Sequence, residues 1–148
     1  MKMPEYVSKN EVERVCKELG FKNWAQMKTP SVQDTEASVI LKMVNTAEMD
    51  IPLEEFKQGL VVELEHGTMY EDANVTNNHP ILTGLIVLAH LKETMDYYER
   101  LDVVEIEGDI LKATLAGDLK KADSKYRKLA QAKSILADSE NNKLNSSH

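Results

Sequence analysis

The chain has 148 residues, a formal net charge of −7 and one cysteine, Cys16. That length suits one domain, and a domain of this size buries about 70% of the surface its unfolded chain exposes, so a core needs no staples. One cysteine excludes an intramolecular disulfide and any multi-cysteine zinc site, while the acidic balance argues against general nucleic-acid binding, which needs a basic surface.

The opening MKMPEYVSKNEVER lacks the apolar stretch of a leader, and the longest apolar run, Leu85 to Ala89, is too short to span a bilayer. The expected location is the cytoplasm, or a virion assembled there, with no membrane contact. Ser8-Lys9-Asn10-Glu11 is a capping box for a first helix. Val12, Val15, Cys16 and Leu19 recur along it at helical spacing, and Gly20 suits its end. Cys16 lies on that apolar face and reads as a small buried hydrophobe. Residues 21–33 read as a loop, with Trp24 as a core or loop anchor. The spacing predicts a second helix from about Asp34 to Val44, with Val39, Ile40, Met43 and Val44 as its apolar side.

A third helix opens at Asp50-Ile51-Pro52, where the missing proline N–H is harmless, and is expected to stop at Gly67. Leu53, Phe56, Leu60 and Leu64 form its core stripe, and Glu63 lies beside it. A polar loop follows, with His79 as a loop or cap residue, and Pro80 opens a fourth helix that is apolar nearly all round. Asp96-Tyr97-Tyr98-Glu99 starts another helix. The last is expected from about Asp109 to Ala137, where Leu115, Leu119, Ala122, Tyr126, Leu129 and Leu136 follow a coiled-coil-like seam.

From Lys112 to Lys133, seven basic residues face two acidic ones, a net +5 that leaves −12 on the rest. The reading is an all-α fold: a compact helical domain of about five helices with a long C-terminal amphipathic helix. Its parts are a helical core at 1–108, the amphipathic helix at 109–138 and a disordered polar tail at 139–148. A protein partner or self-association through 109–138 would cover the seam.

Chemistry-bearing residues concentrate in ELEH (63–66) and HLKE (90–93). Glu63, His66, His90 and Glu93 are expected to converge if the two helices pack antiparallel, with Gly59 allowing close approach. Glu65 is expected on the far, solvated side. Two Glu/His pairs at i, i+3 match half of a carboxylate-bridged di-metal bundle, which takes two more carboxylates from other helices; Glu55 and Asp96 are the candidates. Three readings stand: a buried hydrogen-bonded network fixing helix register, a divalent metal site, or catalysis. Tyr97 and Tyr98 read as packing aromatics with hydroxyls reaching polar partners.

FKQGLVVELEHG, NVTNN and TGLIVLAHLKETMDYYERL, in that order, resemble a small domain family of unknown function found in bacteria and bacteriophages. The resemblance covers Phe56 to Leu101, more weakly Val12 to Phe21, and places signature positions on Phe56, Gly59, Glu63, Glu65, His66, His90, Glu93, Asp96, Tyr97, Tyr98 and Leu101. Met95 stands where the family usually has proline; residues 22–50 read as an insertion and those after about 105 as an extension. The resemblance assigns no activity. It implies a phage link, because related modules occur attached to phage head or other structural proteins. The expected function is a non-enzymatic structural or interaction module, a head-associated virion component. The alternative is a metal-binding helical protein with hydrolytic or oxygen chemistry.

Overall fold

In the computed structural model, which describes residues 7–146, the chain forms six α-helices and no strand among the described residues: α1 (Lys9–Leu19), α2 (Asp34–Val44), α3 (Leu53–Met69), α4 (Pro80–Glu93), α5 (Tyr97–Leu115) and α6 (Leu119–Ser146). The first six residues, part of the stretch read as lacking a leader, and the last two of the tail lie outside the described residues. The chain divides into two compact units, Met1–Met95 and Asp96–His148, so the boundary expected at 108 falls inside α5.

In the first unit, Ser8 accepts a hydrogen bond from the Glu11 amide, and Gly20, at φ 72°, ends α1 in the left-handed region. Val12, Val15 and Cys16 are buried, and burial raises the Cys16 thiol above its ordinary pKa, which suits a packing role. Residues 21–33 hold a single 3-10 turn at Trp24–Gln26. The fully buried Trp24 donates its indole N–H to Glu36 at 3.3 Å, and the other Glu36 oxygen accepts the Gln33 amide at 2.9 Å. One buried carboxylate thus closes the capping box of α2 and ties it to the anchor.

Which face of α2 is inside differs from the expectation. Ala37, Ile40 and Val44 are buried, whereas Val39 and Met43 are exposed. Two apolar stripes compete on this helix, and α3 and α4, which both pack on it, take the one with the smaller residue. Along α3, Phe56, Gly59, Leu60 and Leu64 are buried and Leu53 is exposed. The helix runs through Gly67 to Met69 rather than stopping, and the Gly67 carbonyl accepts from the Asn74 side-chain Nδ2 at 3.0 Å.

The start of α4 is set by His79, whose Nδ1 accepts hydrogen bonds from the Ile81 and Leu82 amides at 3.2 and 3.4 Å. That acceptor exists only on the neutral ring, and burial, more than neighbouring charge, lowers the pKa of His79 below its ordinary value near 6.5. As pH falls below that value the unfolded chain takes up a proton that the folded one resists, so stability is present above it and lost going down. Melting temperature is therefore expected to drop between pH 7 and 5. His79→Asn, a cap that does not titrate, is expected to flatten that slope; an unchanged slope would assign the effect elsewhere.

The second unit is a helical hairpin. α5 and α6 pack along their length, and Ala116, Gly117 (φ 71°) and Asp118 make the turn, where Asp118 caps α6 through the Lys121 amide. The continuous helix expected over 109–137 is therefore two helices, because Gly117 relieves the left-handed position that the reversal needs. Only the distal half of the expected seam is inside: Leu129 and Ala132 pack with Val103 and Ile106, joined by Ile110 and Leu136. The tail expected to be disordered continues α6 as far as Ser146. Its residues are tied down: Ser139 donates to Glu99, Glu140 meets Arg100 at 2.8 Å and Lys143 meets Asp96 at 2.9 Å.

Candidate functional site

The buried arc of α4 is made by Pro80, Thr83, Gly84, Val87, Leu88 and Leu91, which fall within about a third of the helix circumference at 100° per residue. Leu82 and Ile86, half-buried, and Ala89, exposed, make up the side expected to face protein; they lie on the opposite side of the helix, and the exposed Glu93 lies with them. A helix apolar all round conceals its inward face, since no polar stripe marks the outside. His90 sits at the rim of the buried arc. It reaches α3, where its Nδ1 lies 3.2 Å from Glu63 Oε1, an ion pair when the ring is protonated.

Of the four expected to converge, then, Glu63 and His90 meet. Their side chains are 15% and 30% exposed, so the pair is half-buried at a helix seam rather than deep in the core. His66 and Glu93 are exposed residues. Glu65 is more exposed than Glu63, as expected. The packing sense also differs. A Cβ on Gly84 would lie 3.5 Å from Phe56, while Glu63 pairs with His90, so contacts advance in the same direction along both helices. An antiparallel pair does the opposite. The ten residues 70–79 span up to about 35 Å, enough to return past the roughly 25 Å length of α3. Among the described residues no three His, Cys, Asp or Glu side chains form a group that would hold a metal ion.

Glu63 and His66 help line a cleft of about 220 Å³, together with Tyr70, Asn74, Thr76 and Ile86. Part of its wall is the start of the NVTNN segment (74–78), whose side chains are hydrogen-bonded to one another and to their surroundings. Asn74 donates to both the Gly67 carbonyl and Asn78 Oδ1, Thr76 Oγ1 accepts from the Asn78 amide, and Asn78 donates to the Trp24 carbonyl at 3.4 Å. Asn77 reaches the Val7 carbonyl at 2.6 Å. Asn77 and Asn78 have φ of 48° and 63°, a region asparagine tolerates better than other side chains. A Cβ at Gly67 would come within 2.2 Å of Asn78 Oδ1, which explains a glycine inside α3. These asparagines knot the end of α3 to the start of α1 and to the Trp24 turn. Their run between a glycine and a proline was visible as a motif, but not its partners.

Beside that cleft, Val75, Leu82, Leu85, Ile86 and Ala89 line an open apolar groove of about 480 Å³. Leu85 is 45% exposed. The remaining signature residues lie in the other unit: Asp96 is buried and meets Arg100 and Lys143, Tyr98 is buried, and the Tyr97 ring packs edge-on against it. Gly59 is buried in α3. No described helix is long and apolar enough to cross a membrane.

A family described as "Protein of unknown function (DUF5661)" matches residues 12–107, running through residues 22–50 and ending within α5. No curated protein matches, and no solved structure matches.

Proposed function

Starting from a chain that belongs to the DUF5661 family of unknown function, we propose that it is a non-enzymatic structural or interaction module that docks a protein through the outer face of α4. The observation that carries this reading is the open apolar groove of Val75, Leu82, Leu85, Ile86 and Ala89. Apolar surface grouped in this way, rimmed by Glu63, His66 and Thr76 in the adjoining cleft, has the composition of a recognition patch. The narrower reading, a head-associated virion component, rests on the likeness of the VELEHG, NVT and AHLKE motifs to modules attached to phage head or other structural proteins. The metal-binding alternative retains two donors, Glu63 and His90.

Leu85→Glu removes apolar area from an exposed position, so it is expected to leave folding stability within about 0.5 kcal/mol of the parent. A photo-crosslinking residue at position 85, in cells producing the chain, is expected to trap one discrete protein. Ile86→Glu is expected to abolish that product. Crosslinks scattered over abundant proteins and indifferent to Ile86→Glu would sink the reading.

A further inference from the structure

The first unit holds a polar cavity that shares no lining residue with the α4 groove. It has a volume of about 550 Å³ and lies among four stretches of chain: the start of α1, residues 25–28, the end of α3 and the NVTNN segment. That volume is in the range of small-molecule sites.

Side-chain amides make its buried part. Asn78 is 6% exposed; its carboxamide accepts from the Asn74 side chain at 2.8 Å and donates to the Trp24 carbonyl at 3.4 Å. A carboxamide has two N–H donors and two lone pairs, so one of each is left for a further partner. Asn77, which donates to the Val7 carbonyl, and Thr68, whose hydroxyl donates to the Glu65 carbonyl at 3.1 Å, are half-buried in the same lining and keep their oxygen lone pairs. The fold makes room for this group at a cost. Glycine weakens a helix interior, yet a Cβ at Gly67 would come within 2.2 Å of Asn78 Oδ1. Asn77 and Asn78 both hold a left-handed backbone, a conformation that collects at ligand clamps. Knotting the chain accounts for the partners these asparagines have. It does not account for donors and acceptors that line an open space instead of closing on one another.

Charge at the rim narrows the class of ligand. Lys9 and Lys28 stand against Glu71, one net positive charge on a chain at −7. Lys9 and Glu71 meet at 2.6 Å, whereas the exposed Lys28 makes no ion pair among the described residues. An ammonium group above a polar cavity draws in an anion. Among the described residues no aromatic ring lines the space, so it offers a base nothing to stack on.

We propose that this cavity binds a small hydroxylated anion, a sugar phosphate or a sugar acid. Lys28 meets the anionic group, and Thr68, Asn77 and Asn78 meet the hydroxyls. The site stands or falls separately from the docking reading of α4.

Titration of the full chain with glucose 6-phosphate and with gluconate, followed by NMR of the side-chain amides, is expected to move the Asn77 and Asn78 signals saturably with at least one of them. The two arms separate a phosphate head from a carboxylate. Glucose, which lacks the charge, and inorganic phosphate, which lacks the hydroxyls, are each expected to bind at least tenfold more weakly. Lys28→Ala is expected to lower affinity for the tighter anion at least fivefold with an unchanged melting temperature. Gly67→Ala drives a methyl group onto Asn78 and is expected to abolish binding, but it also strains the fold. Thr68→Val keeps the shape without the hydroxyl, and is expected to weaken binding at least threefold. No saturable shift with either anion, glucose or inorganic phosphate binding as tightly as both anions, or affinity indifferent to Lys28→Ala or to Thr68→Val would overturn the proposal.

Discussion

Replacing Gly84 by valine is expected to cost about 3 kcal/mol of folding stability, among the largest effects of any small substitution in the first unit. A Cβ at Gly84 would sit 2.4 Å from Ile40 Cγ2, with Val44 and Phe56 at 3.4 and 3.5 Å. Ile40 and Phe56 are fully buried, and a β-branched isoleucine holds one preferred rotamer in a helix, so its Cγ2 has nowhere to swing. The helices must separate or Ile40 must leave its rotamer. Gly84→Ala should show the same clash at a lower net cost, because alanine gains about 1 kcal/mol of helix propensity over glycine. Ile40→Ala removes the obstructing methyl. The double variant Gly84→Ala/Ile40→Ala is therefore expected to lose less stability than the two single losses together. Strict additivity in denaturant unfolding would mean that the close approach of α4 to α2 is not what requires the glycine. Because Gly84 sets how deeply α4 seats, it also sets where His90 meets Glu63 and how far Leu85 stands out.

Asp96→Ala is expected to cost about 2–3 kcal/mol, and to act far along the chain from its own position. Asp96 is 3% exposed and accepts from Arg100 through both carboxylate oxygens, at 3.1 and 2.9 Å, while Lys143 lies 2.9 Å from one of them. A buried carboxylate needs such partners, and fork geometry with a guanidinium is the stronger kind of charged hydrogen bond. Both cations are about half exposed, so they regain water when the carboxylate is removed, which keeps the loss below that of orphaning a buried charge. Since Lys143 and Glu140 hold the end of α6 against Arg100 and Asp96, amide exchange over residues 139–146 is expected to accelerate in Asp96→Ala more than over 119–132. Uniform acceleration, or none, would show that α6 is held by its apolar contacts alone.

Local rules carried much of the helical layout. Ser8 and Glu11, Pro80, and the spacing before Val44 are signals between residues a few positions apart, and their geometry is complete within one turn. The all-α class follows from them, as does the exposure of Glu65 relative to Glu63. The Asp96-Tyr97-Tyr98-Glu99 start is a similar signal, but Asp96 makes no side-chain cap hydrogen bond and spends its carboxylate on Arg100 and Lys143. A capping pattern states where a helix begins without stating what the side chain will bond.

Facing, helix sense and helix ends needed the tertiary structure. On α2 and α4 the apolar residues form more than one stripe, so periodicity alone does not choose between Ile40 with Ala37 and Val39 with Met43, or between Leu91 with Gly84 and Leu82 with Ile86. The choice belongs to whichever stripe lets neighbouring backbones come closest, as at Gly84. The disagreement over the metal cluster follows directly: turning α4 by less than half a revolution keeps His90 beside Glu63 and sends Glu93 to solvent. Gly67 and Gly117 make the same point in opposite ways. Gly67, expected as a helix end, stays helical because Asn74 and Asn78 fill the space of its missing side chain, and Gly117, expected inside a continuous helix, ends α5 because φ there is positive. The polar SENNKL segment has too little apolar surface to order by itself, and it is the buried Asp96, 47 residues earlier, that holds Lys143 in a helix. Sequence determined which residues can be helical; long-range contacts decided which faces and ends are realised, because burial free energy depends on what lies opposite.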